Sequence, residues 1–283
     1  MAPHDLYNPA FVGHLFDEMA RTYGLVSLVS SLGFARRWRR QCLRSIQIDA
    51  GATVLDLMTG MGELCPDLAK QVGEQGRILA LDVSPAMCAR AGVTAMSRTP
   101  RRMQVLHADA LMCPVDEESV DCVVSTFGLK TLNATQVQTL AAQVHRVLKP
   151  GGRFALLEIS VPKSRLLRLP YLAYICHVIP LIGRISMGNP DNYRLLAVCT
   201  RAFRDCRQAA NAFAAAGLAV RYGSHFFGCA TAIAGHKPNQ QGQQWHKPLA
   251  DATGEARGKA WRTDARLTGC VGVGILSHHD PAA

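Results

Sequence analysis

The sequence lacks the cysteine and histidine spacings that hold metal ions in proteins. Its 10 cysteines include no Cys-x-x-Cys pair, and its 10 histidines form no cluster, so we expect no metal site. Cys42, Cys88 and Cys122 lie within apolar patterns, which is typical of reduced core residues and predicts a reducing compartment, the cytoplasm. The first residues include Asp5 and no apolar signal-like stretch, so we expect no secretory signal.

Long uninterrupted apolar runs are also absent. The most apolar window, Leu166–Ile182, contains Arg168, Pro170, His177 and Pro180. A helix that spans a bilayer needs about 20 predominantly apolar residues. We therefore expect this window to be too short and too interrupted to cross a membrane.

Acidic residues are outnumbered by basic ones, 21 against 31, which gives a formal net charge of +10. Part of this excess lies in a helix predicted from about Phe34 to Ile46, where Arg36, Arg40 and Arg44 share one face. Two interpretations of this face remain open. It is either the solvated side of an amphipathic helix or a surface that meets anionic lipid or a phosphorylated ligand.

Strand and helix signals alternate along most of the chain. Strands are predicted at 54–57, 77–83, 103–108, 120–125 and 153–159, with a closing hairpin over 218–222 and 226–234. This pattern predicts an α/β fold with a Rossmann-like doubly wound sheet, mostly parallel with an antiparallel edge strand. We expect an N-terminal helical lid (1–48), a main domain (49–237) with a helical lid insertion (161–200), and a poorly ordered tail (238–283).

The stretch Val54–Glu63 lies at the centre of this pattern. It predicts a buried strand, Val54–Leu57, followed by a turn that contains Gly60 and Gly62 and leads into a helix. Glycine gives the backbone freedom at such a turn and lets a ligand approach the main chain. At the carboxyl end of a parallel strand, this arrangement predicts a nucleotide-type pocket.

Acidic residues stand at the ends of the next two predicted strands: Asp82 ends the second strand and Asp109 follows the third. Asp82 is placed to accept the hydroxyl groups of a ribose, and Asp109 is placed to accept an adenine amino group. The dinucleotide fingerprint G-x-G-x-x-G would require a third glycine where Cys65 stands, and a P-loop Lys-Ser/Thr is absent. S-adenosylmethionine, which has one ribose and no phosphate, fits these residues better. Asp56 either contacts this ligand or caps the turn.

With these motifs the sequence resembles the class I S-adenosylmethionine-dependent methyltransferases and, among them, the ubiquinone/menaquinone C-methyltransferase family. The resemblance covers about residues 11–237 and leaves the tail outside. It is carried by the segments LFDEMARTYGLVSLVSSLGFARRWRR (15–40), VLDLMTGMGE (54–63), LALDVSPAM (79–87), STFGLK (125–130), RVLKPGGRFALLEIS (146–160), HVIPLIG (177–183) and NYRLL (192–196).

The resemblance implies which residues contact the cofactor, and it agrees with the roles inferred for Asp82 and Asp109. The residues expected to bind S-adenosylmethionine are Tyr23, Asp56, Gly60, Met61, Gly62, Asp82, Val83, Asp109, Ala110 and Thr126.

The sequence departs from the family near the acceptor and in the turn. The family's Phe-Gly-Leu-Arg-Asn reads Phe-Gly-Leu-Lys-Thr over 127–131, so Lys130 and Thr131 replace the Arg and Asn that face the quinol ring. Met58 occupies the first glycine position of the turn, and Met61 stands where the family usually has threonine.

Methyl transfer requires an aligned methyl group and an activated acceptor. We expect Lys130 to stabilise the acceptor oxygen as a cation or to act as a base, and His177 to act as the general base. Asp191 and Tyr193 are expected to orient the acceptor. Structural roles remain open for all four residues.

The sequence therefore predicts methyl transfer from S-adenosylmethionine to a ring carbon of an apolar aromatic or quinone-like acceptor. Two alternatives remain open: an O- or N-methyltransferase of a secondary metabolite, and a non-catalytic cofactor-binding subunit. The expected partners are a small lipophilic acceptor and an anionic membrane that is contacted peripherally, and a homodimer is left open. Nucleic acid is not expected, because no base-flipping loop or RNA module is found.

Overall fold

The computed structural model describes residues 7–98 and 102–239. Within these ranges the chain forms a seven-stranded sheet with helices on both faces. The tail expected to be poorly ordered, 238–283, falls outside the described residues from position 240 onward.

The sheet has the strand order β3-β2-β1-β4-β5-β7-β6. Strands β1 to β5 are parallel, while β7 is antiparallel to both β5 and β6. This confirms the predicted mostly parallel, doubly wound sheet. The strands are β1 (Thr53–Leu57), β2 (Arg77–Asp82), β3 (Met103–His107), β4 (Val120–Thr126), β5 (Leu148–Ile159), β6 (Ala219–His225) and β7 (Ala230–His236).

Strand β5 begins five residues before the predicted start at Arg153. Leu148 pairs with Val120, and the register then shifts before Arg153 pairs with Cys122. Gly151 has a φ of +78° inside this irregularity. The Lys-Pro-Gly-Gly segment therefore forms a bulge within the strand, where glycine supplies the backbone conformation that the extra residues require.

Helices cover the two faces of the sheet and form a lid above its carboxyl edge. They are α1 (Pro9–Met19), α2 (Tyr23–Ser30), α3 (Phe34–Leu43), α4 (Cys65–Val72), α5 (Pro85–Arg98), α6 (Ala134–Val147), α7 (Arg165–Ala173), α8 (Ile179–Ile185), α9 (Pro190–Phe203) and α10 (Arg207–Ala215).

Each face of the sheet has its own apolar core. Side chains of α3 and α4 pack on one face, around Val54 and Leu68. Side chains of α6 and α10 pack on the other face, around Leu55 and Phe213. Both faces of β1 are therefore buried, which explains its continuous apolar sequence.

The lid has a third, smaller core that joins the N-terminal helices to the insertion. Leu15 and Met19 of α1, Val26 of α2 and Tyr193 of α9 are buried together, with Ile179 of α8 packed against them. Helix α2 lies between α1 and α3 and was not itself predicted. Its apolar residues form a stable helix only because tertiary packing buries one side.

Helices α7 and α8 are joined by one π-helical turn, Tyr174–Val178, into a single 21-residue helix, Arg165–Ile185, which we call the long helix. The wide turn lies directly before Pro180, whose missing N–H interrupts the α-helical hydrogen bonds. The expectation that the prolines break this segment is therefore wrong. By length and composition alone, the long helix is long enough and apolar enough to cross a membrane, with a mean hydropathy of 1.5. Only 17% of its most apolar window is buried in the protein.

Candidate active site

The turn after β1 has an unusual backbone conformation. Met58, Gly60 and Gly62 have φ values of +55°, +58° and +73°, and the left-handed conformation costs a non-glycine residue about 1–2 kcal/mol. The backbone N–H of Thr59 donates to the carbonyl oxygen of Leu81 at 2.9 Å, which fixes the turn to β2. The main chain of Gly60 consequently faces a cleft at the carboxyl edge of the sheet.

Asp82, at the end of β2, lines the same cleft. One carboxylate oxygen accepts the N–H of Gly60 at 2.7 Å, and the other accepts the N–H of Ser84 at 3.0 Å. Burial raises the pKa of Asp82. The two backbone donors hold the carboxylate at the cleft wall, with Val83 beside it.

Asp109 follows β3 and caps a short 3-10 turn, Ala110–Met112. Its Oδ1 accepts the N–H of Leu111 at 2.9 Å. Asp109 and Ala110 line the cleft, as does Thr126 at the end of β4. One oxygen of Asp109 is thus used for the cap, and the carboxyl group remains at the cleft wall.

Together these groups line an elongated cleft of about 860 Å³, open mouth included, which we call the first cavity. Because the strand order is β3-β2-β1-β4, Asp109, Asp82, Gly60 and Thr126 follow one another along the sheet edge. Neighbouring strands lie about 4.8 Å apart, so the row extends roughly 14 Å. Acceptors for an adenine amino group and a ribose therefore lie in the order in which an adenosyl ligand presents these groups.

Arg39 and Glu63 complete the first cavity at its β1–β4 end. A guanidinium nitrogen of Arg39 donates to the Glu63 carboxylate at 2.5 Å, and the guanidinium lies 5.1 Å from the centroid of the Phe127 ring. The Nε atom of Arg39 is buried and has no hydrogen-bond partner among the described residues. A ligand with both a carboxylate and an ammonium group, such as the amino-acid part of S-adenosylmethionine, matches this pair of charges.

Neither Arg39 nor Glu63 was predicted as a site residue. Arg39 belongs to the helix predicted from about Phe34 to Ile46, but it lies off the stripe formed by Arg36, Arg40 and Arg44. The sequence signal that could have identified Arg39 is its position toward the apolar side of α3, where Trp38 and Cys42 are buried.

Three predicted cofactor ligands lie outside the first cavity lining. Asp56 is buried beneath the turn, where its Oδ2 accepts the Thr59 hydroxyl at 2.6 Å, and burial raises its pKa to about 7. The Met61 side chain contacts Gly24 of α2, and a Cβ on Gly62 would lie 3.5 Å from the Cα of Ala91. In this structure Asp56 supports the turn, which is one of the two roles predicted for it, Met61 packs against the lid and the absence of a side chain at Gly62 lets α5 approach. The cofactor contacts predicted for these three residues stay predictions.

A second cavity of about 1240 Å³, open mouth included, lies beside the first and shares Tyr23 and Phe127 with it. The ring of Tyr23 packs edge-on against Phe16 at 5.9 Å, and burial raises the pKa of its hydroxyl. Most of its lining is apolar and comes from α2, α3, the long helix and α9; it includes Val26, Phe34, Trp38, Ile159, Ile175, Ile179, Leu196 and Phe226.

Lys130 lines the second cavity and is almost fully buried, with 3% of its side chain exposed. Its ammonium donates to the Phe127 carbonyl oxygen and, at 3.1 Å, to Oε1 of Glu158. Glu158 is fully buried and also accepts the N–H groups of Lys130 and Ile159, at 3.0 and 2.8 Å. Two N–H groups of the Lys130 ammonium are therefore used within the described residues and one remains for a ligand, while its predicted role as a cation or base stays a prediction.

The other three predicted catalytic residues lie in different environments. Tyr193 is buried, lines the second cavity and shares a hydrogen bond with Thr22 at 3.0 Å. Asp191 is exposed, pairs with Arg194 at 2.5 Å and lies outside both cavities. His177 is exposed on the long helix and also lies outside both cavities. Neither Asp191 nor His177 lines a cavity in this structure, and the roles predicted for them stay predictions.

The strand order, the glycine turn and the acids after β2 and β3 define a class I S-adenosylmethionine-dependent methyltransferase. Residues 5–237 match the model of the ubiE/COQ5 methyltransferase family. The chain therefore belongs to this family and is an S-adenosylmethionine-dependent methyltransferase.

Curated relatives agree with this assignment. The ubiquinone/menaquinone biosynthesis C-methyltransferases UbiE of Escherichia fergusonii and Citrobacter koseri are each 32% identical over 201 residues, which cover 69% of this chain and 77% of the relative.

Solved structures share the fold at lower identity. A SAM-dependent methyltransferase from Aquifex aeolicus has a TM-score of 0.52 at 19% identity, over 70% of this chain and 89% of its own. Geranyl diphosphate C-methyltransferase from Streptomyces coelicolor A3(2) has a TM-score of 0.51 at 13% identity, over 71% of this chain and 77% of its own.

Proposed function

We propose that the enzyme methylates a ring carbon of an apolar aromatic acceptor, hydroxylated or quinone-like, which binds in the second cavity. The observation that carries this proposal is the junction of the two cavities. A cleft whose wall carries the charged groups suited to the cofactor adjoins a largely apolar one, and Tyr23 and Phe127 belong to both. The names of the curated relatives, which are C-methyltransferases of quinone biosynthesis, support the same acceptor class.

The residues of the first cavity hold the cofactor in an extended arrangement. Asp109 and Ala110 lie at the adenine end, Asp82 at the ribose, and Arg39 with Glu63 at the amino-acid end. S-adenosylmethionine supplies an electrophilic methyl group on a sulfonium sulfur, so the protein has mainly to align and activate the acceptor.

Lys130 is the group that activates the acceptor in this proposal. A phenol has a pKa near 10, so its ionisation at neutral pH costs roughly 4 kcal/mol. The remaining N–H of Lys130, oriented by Glu158 and the Phe127 carbonyl, can donate to the acceptor oxygen and stabilise the negative charge that develops there. That charge makes the neighbouring ring carbon nucleophilic, while Tyr193 and the apolar wall fix the ring.

The proposal is tested with [methyl-¹³C]-S-adenosylmethionine and a matched set of lipophilic acceptors. The set contains a prenylated hydroquinone with one free ring position, the same compound with that position blocked, and the same compound with its hydroxyls capped. We expect transfer to the first only, with a carbon spectrum of methyl on a ring carbon. Transfer to the ring-blocked compound would contradict carbon methylation.

The same experiment separates the second candidate, an O- or N-methyltransferase. This candidate is favoured by the position of Lys130, since a donor beside an acceptor oxygen serves oxygen methylation equally well. A methyl signal on oxygen or nitrogen would establish it. Cofactor binding without transfer to any acceptor would favour a non-catalytic subunit.

We also place the enzyme in the cytoplasm. The nine cysteines within the described residues are all unpaired, and eight of them are buried. Buried, unpaired thiols are typical of proteins of reducing compartments.

A further inference from the structure

The long helix exposes apolar side chains that no described residue covers. Leu166 is 87% exposed, Leu169 71% and Leu181 54%. Its opposite side packs on the lid core through residues such as Ile175 and Ile179. Full burial of one such side chain contributes about 1.5–3 kcal/mol, so this face is a strong candidate for an interaction surface.

Helix α2 exposes a matching apolar stripe beside the long helix. Leu25 and Leu28 are each 57% exposed, and Leu32, in the following turn, is 83% exposed. The two helices are in contact, because the hydroxyl of Tyr174 donates to the carbonyl oxygen of Ser30 at 2.6 Å. We call the combined surface the docking face; its members are Leu25, Leu28, Leu32, Leu166, Leu169 and Leu181.

The docking face borders the second cavity. The cavity runs between α2 and the long helix, and Leu32 both lines it and is exposed, which places Leu32 at the mouth. Phe226, which is 49% exposed, also lines the cavity. The mouth of the second cavity therefore has apolar side chains where it meets the docking face.

The two segments that form the docking face carry charged side chains of one sign only. Residues 162–190 contain Lys163, Arg165, Arg168 and Arg184 and no Asp or Glu. None of these four makes a salt bridge with a described residue. Residues 19–48 likewise contain arginines and no acid. Basic side chains around an apolar face match an anionic lipid surface, since each adds about 1 kcal/mol of attraction near the headgroups.

We propose that the docking face lies flat on an anionic lipid bilayer, with the long helix parallel to the membrane and the mouth of the second cavity opening into the acyl chains. The long helix cannot leave the protein to span the bilayer without removing a wall of that cavity and exposing the lid core. An in-plane helix inserts its apolar side by about 5–10 Å, while its Lys and Arg side chains reach the headgroups. The route of the acceptor through the mouth rests on the proposed function; the docking itself does not.

Vesicle flotation tests the docking. We expect the full-length protein to float with phosphatidylcholine vesicles that contain phosphatidylglycerol, less at high salt, and only weakly with phosphatidylcholine alone. Replacing two exposed leucines, Leu166→Ser with Leu169→Ser, is expected to lower the partition coefficient about tenfold or more. The matched control is Met96→Ser with Met112→Ser, both 76% exposed elsewhere on the protein, which is expected to change nothing.

Tryptophan quenching by brominated lipids tests the orientation. Leu169→Trp lies near one end of the long helix and Val178→Trp near its middle. An in-plane helix places both at a similar shallow depth, so shallow bromines quench both more than deep bromines do. Stronger quenching of Val178→Trp by deep bromines would mean that the helix spans the bilayer, which overturns the proposal.

Light scattering tests the alternative that a second copy of this chain covers the docking face. The proposal is wrong if three results are found together: the wild type is a dimer in solution, the leucine double variant is a monomer, and neither protein floats with vesicles. The docking face would then be a dimer interface. Calorimetric binding of S-adenosylhomocysteine by the same variants shows that the active site remains folded. Docking without any methyl transfer would contradict the proposed function alone, and transfer without docking would contradict this inference alone.

Discussion

Arg39 of α3 forms a partly buried ion pair with Glu63, the residue directly after the glycine turn. The Arg39 guanidinium lies over the ring of Phe127. The pair links the lid to the sheet at the point where the first cavity meets the second. Its neighbour Phe127 has a φ of +68°, a strained conformation for a bulky residue. Strain and paired charges thus lie together at the junction of the two cavities.

This relationship predicts that Arg39 recognises the carboxylate of the cofactor. Arg39→Met is expected to weaken S-adenosylhomocysteine binding by about 1.5–3 kcal/mol, roughly 10- to 100-fold, because a hydrogen bond to a charged group is lost. Binding of 5′-methylthioadenosine, which lacks the amino-acid part, should stay within about twofold. Calorimetry with both ligands measures the two changes.

Arg40→Met is the matched control, because Arg40 is on the same helix and pairs with Asp67 at 3.4 Å on the surface. It should leave both affinities unchanged. An equal loss for both ligands in Arg39→Met would show that Arg39 only supports the fold of the cleft.

A second prediction concerns Asp56 and pH. Burial raises its pKa to about 7 in the folded protein, whereas an unfolded aspartate titrates near 3.9. The folded state therefore holds a proton that the unfolded state has lost, and the free energy of unfolding falls as pH rises from about 4 to about 7. Between pH 5 and 8 this contribution amounts to roughly 3 kcal/mol.

Asp56→Asn mimics the protonated side chain and removes this titration. Urea denaturation at pH 5 and pH 8 should show a smaller loss of stability for the variant than for the wild type. Parallel losses in both proteins would mean that Asp56 is ionised throughout this range.

The fold was predictable because its signals are local. Alternating apolar strands and amphipathic helices identify a parallel sheet, and the glycines at 60 and 62 mark where β1 ends. The positions of Asp82 and Asp109 at the cleft follow from the same logic, since Asp82 ends β2 and Asp109 closely follows β3. The position of each strand end along the sheet edge is fixed by the strand order, which the structure shows.

The partners of buried charges were not predictable from local signals. Glu158 lies in the apolar strand β5, 28 residues from Lys130, and only the pairing of β4 with β5 brings them together. His177 was chosen for its chemistry, but its direction depends on the register of the long helix. The prediction that prolines interrupt that helix was wrong, because a π turn accommodates Pro180 and local propensity gives no sign of such a turn.

A third prediction separates the stability role of Lys130 from its role in catalysis. Lys130→Met and Glu158→Gln each leave a buried partner uncompensated, so each should destabilise the protein by about 3–5 kcal/mol. The double variant should cost clearly less than the sum of the two. Denaturant titration of all four proteins measures the coupling, and strict additivity would contradict a direct pair.

The kinetic part of this prediction uses the same variants. Lys130 lines the second cavity and not the first, so the stable double variant should bind S-adenosylhomocysteine normally. Its turnover of the acceptor should fall about 100-fold or more, as expected when a donor to a developing oxyanion is removed. Unchanged turnover would remove Lys130 from the proposed mechanism.

The last prediction concerns Met58, which has a left-handed backbone in the turn although it is not a glycine. A Cβ placed on Gly128 would lie only 2.5 Å from the sulfur of Met58 and 2.7 Å from its Cβ, so the methionine fills the space that the missing side chain leaves. Gly128 has a φ of −100°, which any residue adopts, and Gly128→Ala therefore tests packing alone. We expect a cost of about 1–3 kcal/mol from overpacking.

Met58→Gly in the Gly128→Ala background should restore stability, because it removes both the sulfur and the Cβ that the new methyl group would meet, and glycine adopts the left-handed conformation of this position without strain. Both residues line the first cavity, so S-adenosylhomocysteine affinity should fall in the single variant and recover in the double one. Thermal unfolding and calorimetry measure the two recoveries. If neither stability nor affinity recovers, the packing of Met58 against Gly128 does not explain why a methionine is tolerated at this position. The turn alone would then have to stabilise its left-handed backbone.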